Sequence, residues 1–403
     1  RTALSITDAV GFDRNRDLPN GRAIPPGRIL SREEVVRTAP LLDAPGITGG
    51  ALWHDGLAVD TERLTLLLLK AAVAGGATVA NRVEATGLLR EGDRVAGIEA
   101  RDATDGSRFA IRARVVLAAT GGRIGRLLRH DGPADPPMAL AMNLITRAIG
   151  GEVAFGVRSP RDLASDPIAG PRRFLFFVPW RGCTMIGTFY RPVEASDGPS
   201  RVTEAHLDEM LAEVNEALPR LGLSRRDVLR IHHGSLPRKG PFERGRPEAL
   251  LQHGRVVDHS ATDGIEGLLT LVGVKYTTAR LLAAQAVDRV FAKLDRTPPR
   301  RPRVDPRIDC EEPDPLVEID GATLENRLRH AIRAEMARTL PDLVLRRTGI
   351  GSAGPPDREA VALALRLLAE ERDLDDDARF AEIEALRDAY RPLDAGAEWS
   401  PGG

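Results

Sequence analysis

Apolar and polar positions change their spacing along the chain in a way that divides it. Alternation of period two over 83–89, 94–101 and 109–113 predicts three short strands, with Asp105-Gly106 turning between the last two. Residues 75–80 ahead of them predict a further strand, and 114–122 a buried strand that runs into Thr120-Gly121-Gly122. Residues 173–180 and 183–190 alternate about Arg181-Gly182 as a hairpin, and 228–236 form another strand that closes on Pro237. Continuous apolar runs over 250–258 and 264–271 return to the style of a strand covered on both faces.

Helical spacing appears over 64–74 behind the capping residue Asp60, over 202–218, over 281–292, and over 324–340, 358–371 and 378–390. The first forty residues read as an irregular connector with one short helix, capped by Ser31 with Glu34 three residues on. Residues 46–59 read as two short strands or a turn-rich entry. The fold class is therefore α/β. Residues 1–147 with 245–295 form a doubly wound sheet domain, and 148–244 an inserted antiparallel sheet. A proline-rich linker at 296–310 leads to a helical domain at 311–403.

Composition narrows the function classes. The 403 residues carry 57 Lys and Arg against 58 Asp and Glu, a net charge of −1, which speaks against a general nucleic-acid or anionic-membrane binder. Two cysteines, Cys183 and Cys310, lack CxxC or Cys/His spacing, which argues against a disulfide framework and a metal centre and fits a cytoplasmic setting. No apolar run reaches the length of a membrane-spanning helix. Lysine occurs only at 70, 239, 275 and 293, so each marks a place where a compact, titratable cation stands in an arginine-rich background.

One stretch carries chemistry. Gly267-Leu-Leu-Thr-Leu-Val-Gly273-Val-Lys275-Tyr276-Thr277-Thr278-Ala-Arg280 combines a buried strand, a glycine turn and a helix start. Gly273 lets a ligand approach the backbone, while Thr277 and Thr278 are expected to cap a helix whose first N–H groups face outward towards an electron-rich ligand. An ordinary strand-to-helix turn satisfies the same residues.

These residues resemble the C-terminal flavin-contacting motif, GGKxTTxR, of the FAD-dependent glycerol-3-phosphate dehydrogenases, within the D-amino-acid-oxidase-like flavoproteins. Further matches are Trp53-His54-Asp55-Gly56 through Arg63-Leu64, Ala119-Thr120-Gly121, Phe177-Val-Pro179-Trp180 with Ile186-Gly187-Thr188, and Glu335-Met336-Ala337 with Arg346-Arg347-Thr348. The resemblance implies FAD as cofactor, held by Val83, Ala119, Thr120, Gly121, Gly273, Lys275, Tyr276, Thr277 and Thr278. It implies oxidation of glycerol 3-phosphate or a related small polar alcohol by hydride transfer, with electrons passed to quinone or another acceptor. Peripheral contact with the inner face of the cell membrane and a homodimer are consistent with it, and nucleic acid is not.

Such a family also needs a strand followed by G-x-G-x-x-G for the FAD pyrophosphate. No such unit precedes the matched stretch from Arg1, and the resemblance implies one outside this sequence. Gly349-Ile-Gly351-Ser-Ala-Gly354 fits the pattern, but Arg346-Arg347 stands where its strand should be deepest, and Pro355-Pro356 where its helix should run.

The substrate side departs from the family. Leu236 stands where an arginine usually reads phosphate, Asn143 where a histidine is usual, and Thr188-Phe189-Tyr190 replaces Thr-Thr-Asp. Arg238, Lys239, Thr188 and Asn143 are the candidate substrate contacts, and Lys275, His233 and Tyr190 the candidate catalytic groups, with His232 a further base. Two other readings stay open: an amine or amino-acid oxidase, and a non-catalytic homologue acting as a binding partner.

Overall fold

The computed structural model describes residues 2–16, 23–42, 46–121, 137–160, 173–193, 202–239, 250–299 and 321–390. The connector expected at the start contains a helix, α1 (Thr2–Val10), whose exposed Ile6 and Val10 blur the contrast that periodicity needs. The strand β1 (Arg28–Ser31) leads into α2 (Arg32–Thr38) through the expected capping box, with Ser31 Oγ accepting from Glu34 N–H and Glu34 Oε2 from Ser31 N–H. A returning strand, β2 (Gly49–Leu52), pairs antiparallel with β1.

Asp60 caps α3 (Thr61–Ala74), accepting from the Arg63 N–H at 2.8 Å. Residues 75–80 are not a strand. The end of α3 claims them, with Gly75 N–H on Ala71 O, Ala77 N–H on Ala72 O, and Gly76 turned to a φ of 94°. A meander follows as expected, β3 (Val83–Glu91), β4 (Arg94–Asp102) and β5 (Arg108–Arg112), all antiparallel. It packs Val95 and Leu88 onto Val116, Ala118 and Leu268 of the next sheet.

The five-stranded sheet begins earlier than the pattern implied. Its centre is β7 (Met138–Arg147), flanked by β10 (Cys183–Val193) on one side and β11 (Val228–Pro237) on the other, with β9 (Phe174–Trp180) and β8 (Phe155–Arg158) outside β10. Residues 138–147, which the pattern gives to the first domain, thus pair within this sheet. Strand β7 is buried in the middle of a sheet, so it shows a continuous apolar run like that of the parallel-sheet domain.

Side chains alternate between the two faces of this sheet. Leu140, Met142, Leu144, Leu175, Phe177, Ile186, Phe189 and Ile231 form one face. Helix α4 (Glu204–Ala217) covers it with Leu207, Met210, Leu211 and Val214. Arg173 pairs with Glu213 and Arg191 with Glu209 on this covered side. The opposite face carries Ala141, Asn143, Tyr190 and the exposed rings of Phe174 and Phe176.

Strand β12 (Arg255–Asp258) pairs antiparallel with β13 (Leu268–Val272), which pairs parallel with β6 (Val116–Ala118). From β13 the chain passes into α5 (Tyr276–Lys293). The C-terminal helices α6 (Gly321–Ala334), α7 (Arg358–Arg372) and α8 (Asp376–Tyr390) build a separate core around Leu328, Leu343, Leu367 and Tyr390.

Candidate functional site

The parallel pair β6–β13 is the frame of the site. Two strands running the same way deliver their following turns, 119–121 and 273–275, to the same end of the sheet, where open α/β sheets bind their ligands. Gly121 takes a φ of 65° with nothing within 4 Å of the place a Cβ would occupy, and Gly273 has only a Leu271 methyl at 3.7 Å. Both turns therefore present bare backbone to whatever lies above the sheet.

Helix α5 starts at least two residues earlier than capping by threonine requires. Its N-cap is Lys275, which makes no side-chain capping bond; Thr277 and Thr278 lie within the first turn, where the Thr278 hydroxyl bonds back to Lys275 O at 3.4 Å. The expectation that Thr277 and Thr278 cap the helix is corrected. Lys275 adopts the extended N-cap conformation, so both threonines already have helical backbone. The consequence is a helix start whose leading N–H groups no side chain caps, a site for an electron-rich acceptor.

A short path joins this turn to the five-stranded sheet. Lys275 Nζ lies 3.5 Å from Gln252 Oε1, Gln252 Nε2 donates to Leu250 O at 3.3 Å, and Leu250 bridges Arg238. Leu251 N–H bonds Pro237 O at 2.9 Å, and Arg238 N–H bonds Pro137 O at 2.8 Å. The end of β11 and the start of β7 are thereby fastened beside the lysine turn. Gln252 has no signature in the sequence that could have found it.

Register decides which predicted residues share the open face. Asn143 stands opposite both Gly187 and His232, Ala141 opposite Tyr190 and Gly234, and Ala139 opposite Leu236. A Cβ on Gly187 would lie 2.0 Å from Asn143 Oδ1, so the glycine is what lets the amide lie flat across the strand. Thr188 is the bulge residue that restores alternation between Gly187 and Phe189.

His233 falls on the other face. It stands opposite Met142, on the side that α4 covers, away from Asn143 and Tyr190. His232 is the imidazole on the Asn143 side; its Nε2 lies 2.9 Å from Ser352 O and must donate to that carbonyl, and its ring meets Trp180 edge-on at 5.3 Å. Burial pushes the His232 pKa below the ordinary 6.5 despite the opposing carbonyl bond, and burial does the same for His233.

Arg238 is 4% exposed and already engages another group of the chain, whereas Lys239 is exposed beyond the strand end. Val83 opens β3 opposite Asp102, in a different sheet from the two glycine turns, and follows Asn81 and Arg82, which bind the C-terminal domain.

The glycine-rich 349–354 segment is occupied by the protein itself. Arg181 donates to Gly349 O at 3.0 Å, Arg230 to Gly351 O at 2.7 Å, and Tyr390 Oη to Gly351 O at 2.9 Å. A π-helical turn, Asp342–Arg347, precedes it in place of a strand. The pattern is thus a latch between domains, and no pyrophosphate cradle of strand, glycine turn and helix exists among the described residues. The two bare turns, the uncapped helix start and the lysine together form a candidate surface for an electron-rich group. No cluster of potential metal ligands occurs among the described residues.

Comparison with known proteins agrees with this geometry. Residues 4–287 match the family profile described as FAD dependent oxidoreductase. The chain is 26% identical over 333 residues to a glycerol-3-phosphate dehydrogenase of Synechocystis sp., covering 78% of this chain and 56% of that protein. It is 29% identical over 289 residues to the mitochondrial glycerol-3-phosphate dehydrogenase of Saccharomyces cerevisiae, covering 65% and 44%. The chain thus spans about half the length of the curated relatives it matches. The solved structure of the Bacillus halodurans glycerol-3-phosphate dehydrogenase, complexed with FAD, shares the fold at a TM-score of 0.69 and 19% identity, covering 92% of this chain and 81% of that one.

Proposed function

The chain belongs to the FAD-dependent oxidoreductase family, and from that premise we propose that it oxidises a small polar alcohol between the lysine turn and the open face of the five-stranded sheet. FAD, when bound, supplies the acceptor for a hydride from the alcohol carbon and hands the electrons on to quinone or another acceptor. The observation that carries this reading is the bridge from Lys275 through Gln252 to the end of β11, which fastens the two halves of the site together.

Within that frame each side chain has a task its chemistry permits. Lys275 places an exposed ammonium beside an uncapped helix start, and both favour negative charge at the turn. Ala119, Thr120, Gly121, Gly273 and Tyr276 line the same end of the parallel pair. Asn143 offers an amide to a hydroxyl and cannot take its proton. His232, neutral and donating through Nε2, keeps Nδ1 unprotonated, and so replaces His233 as the base we assign. Tyr190 and Thr188 complete the polar edge.

The reading predicts a yellow protein that reduces an artificial dye when given glycerol 3-phosphate or a related alcohol. Lys275→Met should lower dye reduction by about tenfold or more, the size of one lost electrostatic contact of the kind that steadies developing charge. Unchanged flavin reduction and substrate affinity in Lys275→Met would remove the role given to the lysine.

A further inference from the structure

Register sets Gly156, Phe176, Gly187, Asn143 and His232 opposite one another on neighbouring strands, so they form one row across the open face of the five-stranded sheet. Two members of the row are glycines, and each receives the side chain of the strand beside it. The Asn143 amide of β7 leans over Gly187 of β10. The nearest atoms to a Cβ built on Gly156 are those of the Phe176 ring, Cε1 at 2.9 Å and Cδ1 at 3.1 Å, so the ring of β9 leans over β8. Both side chains tilt towards the β8 edge. Between them lies a trough floored by β9, with the amide on one side and an aromatic ring, 40% exposed, on the other.

The dimensions of the trough follow from the sheet. Adjacent strands stand about 4.8 Å apart, so amide and ring, two strands from each other, are separated by roughly 10 Å. A hydrogen bond of about 3 Å to the amide and a contact of about 4 Å to the ring leave room for roughly three bonded heavy atoms. The Phe174 ring lies 6.2 Å from that of Phe176, so the aromatic wall continues along β9 towards the end of the sheet that holds the lysine turn.

We infer that Phe176 sets the length of the alcohol this face takes: its ring, seated on Gly156, stops the carbon chain after about three atoms. The inference rests on the reading that this face is the substrate side, and it adds a size limit and the residue that imposes it.

The test pairs 1,2-propanediol with 1,2-hexanediol, which differ only in an uncharged tail, so the charges around the site cancel from their ratio. Dye reduction and isothermal titration are measured for the parent, Phe176→Ala, Gly156→Ala and the double variant. The parent is expected to favour propanediol by about tenfold or more in kcat/KM and in affinity. Phe176→Ala should raise the hexanediol-to-propanediol ratio by about tenfold or more, as methylenes enter the place the ring leaves. Gly156→Ala should push the ring back into the trough and weaken propanediol itself, and the same change should have no effect once residue 176 is alanine. Equal ratios in the parent and Phe176→Ala, a Gly156→Ala effect that persists without the ring, or binding of neither diol by the parent overturns the inference. The expected order of binding without dye reduction by any alcohol, glycerol 3-phosphate included, overturns the catalytic reading and leaves the size limit standing.

Discussion

Gly187 shows how one residue ties backbone to chemistry. The Asn143 carboxamide lies where a side chain at 187 would begin. Gly187→Ala should therefore expel the amide or bend the strand, at a cost of about 1–3 kcal/mol, with a KM for alcohol raised in step. Thermal unfolding and steady-state kinetics read the two effects separately. Imidazoles set the pH response. Burial holds His206, His232 and His233 below the ordinary value of 6.5, so the unfolded chain binds more protons as the solution is acidified. Their contribution to stability is intact above pH 6.5 and is lost as the pH falls towards the folded values. Denaturant titrations on either side of that point should show a lower midpoint on the acid side, and His232→Gln should reduce the difference. At this scale the sequence singles out Lys275 and Asn143, and the structure sets the first at the start of α5 and the second on the uncovered face of the five-stranded sheet. The sequence could not choose between adjacent His232 and His233, because the choice depends on register with β7.

At the scale of elements, α4 and the sheet it covers share one continuous core. Arg173 and Glu213 are 7% and 1% exposed at their side chains, and Glu213 also accepts from the Ser159 hydroxyl at 2.6 Å. Removing one member leaves the other charge buried, so Glu213→Ala should destabilise by about 3–5 kcal/mol in denaturant unfolding, and an isosteric neutral pair should recover much of it. Helix α4 is legible because its apolar stripe appears in the sequence, while its cap at Thr203 comes from the structure. Residues 138–147 read as part of the first domain because their run is almost wholly apolar and lacks the alternation that identifies an antiparallel strand. The false strand at 75–80 has the opposite origin: its small apolar residues suit a strand, yet the C-terminal turn of α3 uses their backbone first.

Across the whole molecule, Arg181 is the residue on which three parts meet. Its guanidinium pairs with Asp60 at 2.7 Å at the cap of α3, donates to Gly349 O of the C-terminal helical part, and extends from the β9–β10 turn of the five-stranded sheet. Arg63 of α3 reaches buried Glu335 at 2.6 Å, and Arg82 reaches Asp342 at 3.0 Å, so the helical domain is fastened at several points. Arg181→Ala should leave each core intact but loosen the latch, seen as faster amide exchange over 349–354 together with reduced turnover. The motifs at 335–337 and 346–348 thus meet α3, where Arg63 donates to the Glu335 carboxylate and to Arg347 O. No helix among the described residues is long and apolar enough to cross a membrane. By itself the sequence determined most of the helices and strands and the glycine turn between β13 and α5, because spacing and glycine turns are local physics. Only the tertiary structure decided that β7 belongs to the five-stranded sheet, that His232 and not His233 faces Asn143, and that 349–354 is a latch. Those outcomes depend on strand register and on carbonyls presented from more than a hundred residues away, which no local pattern encodes.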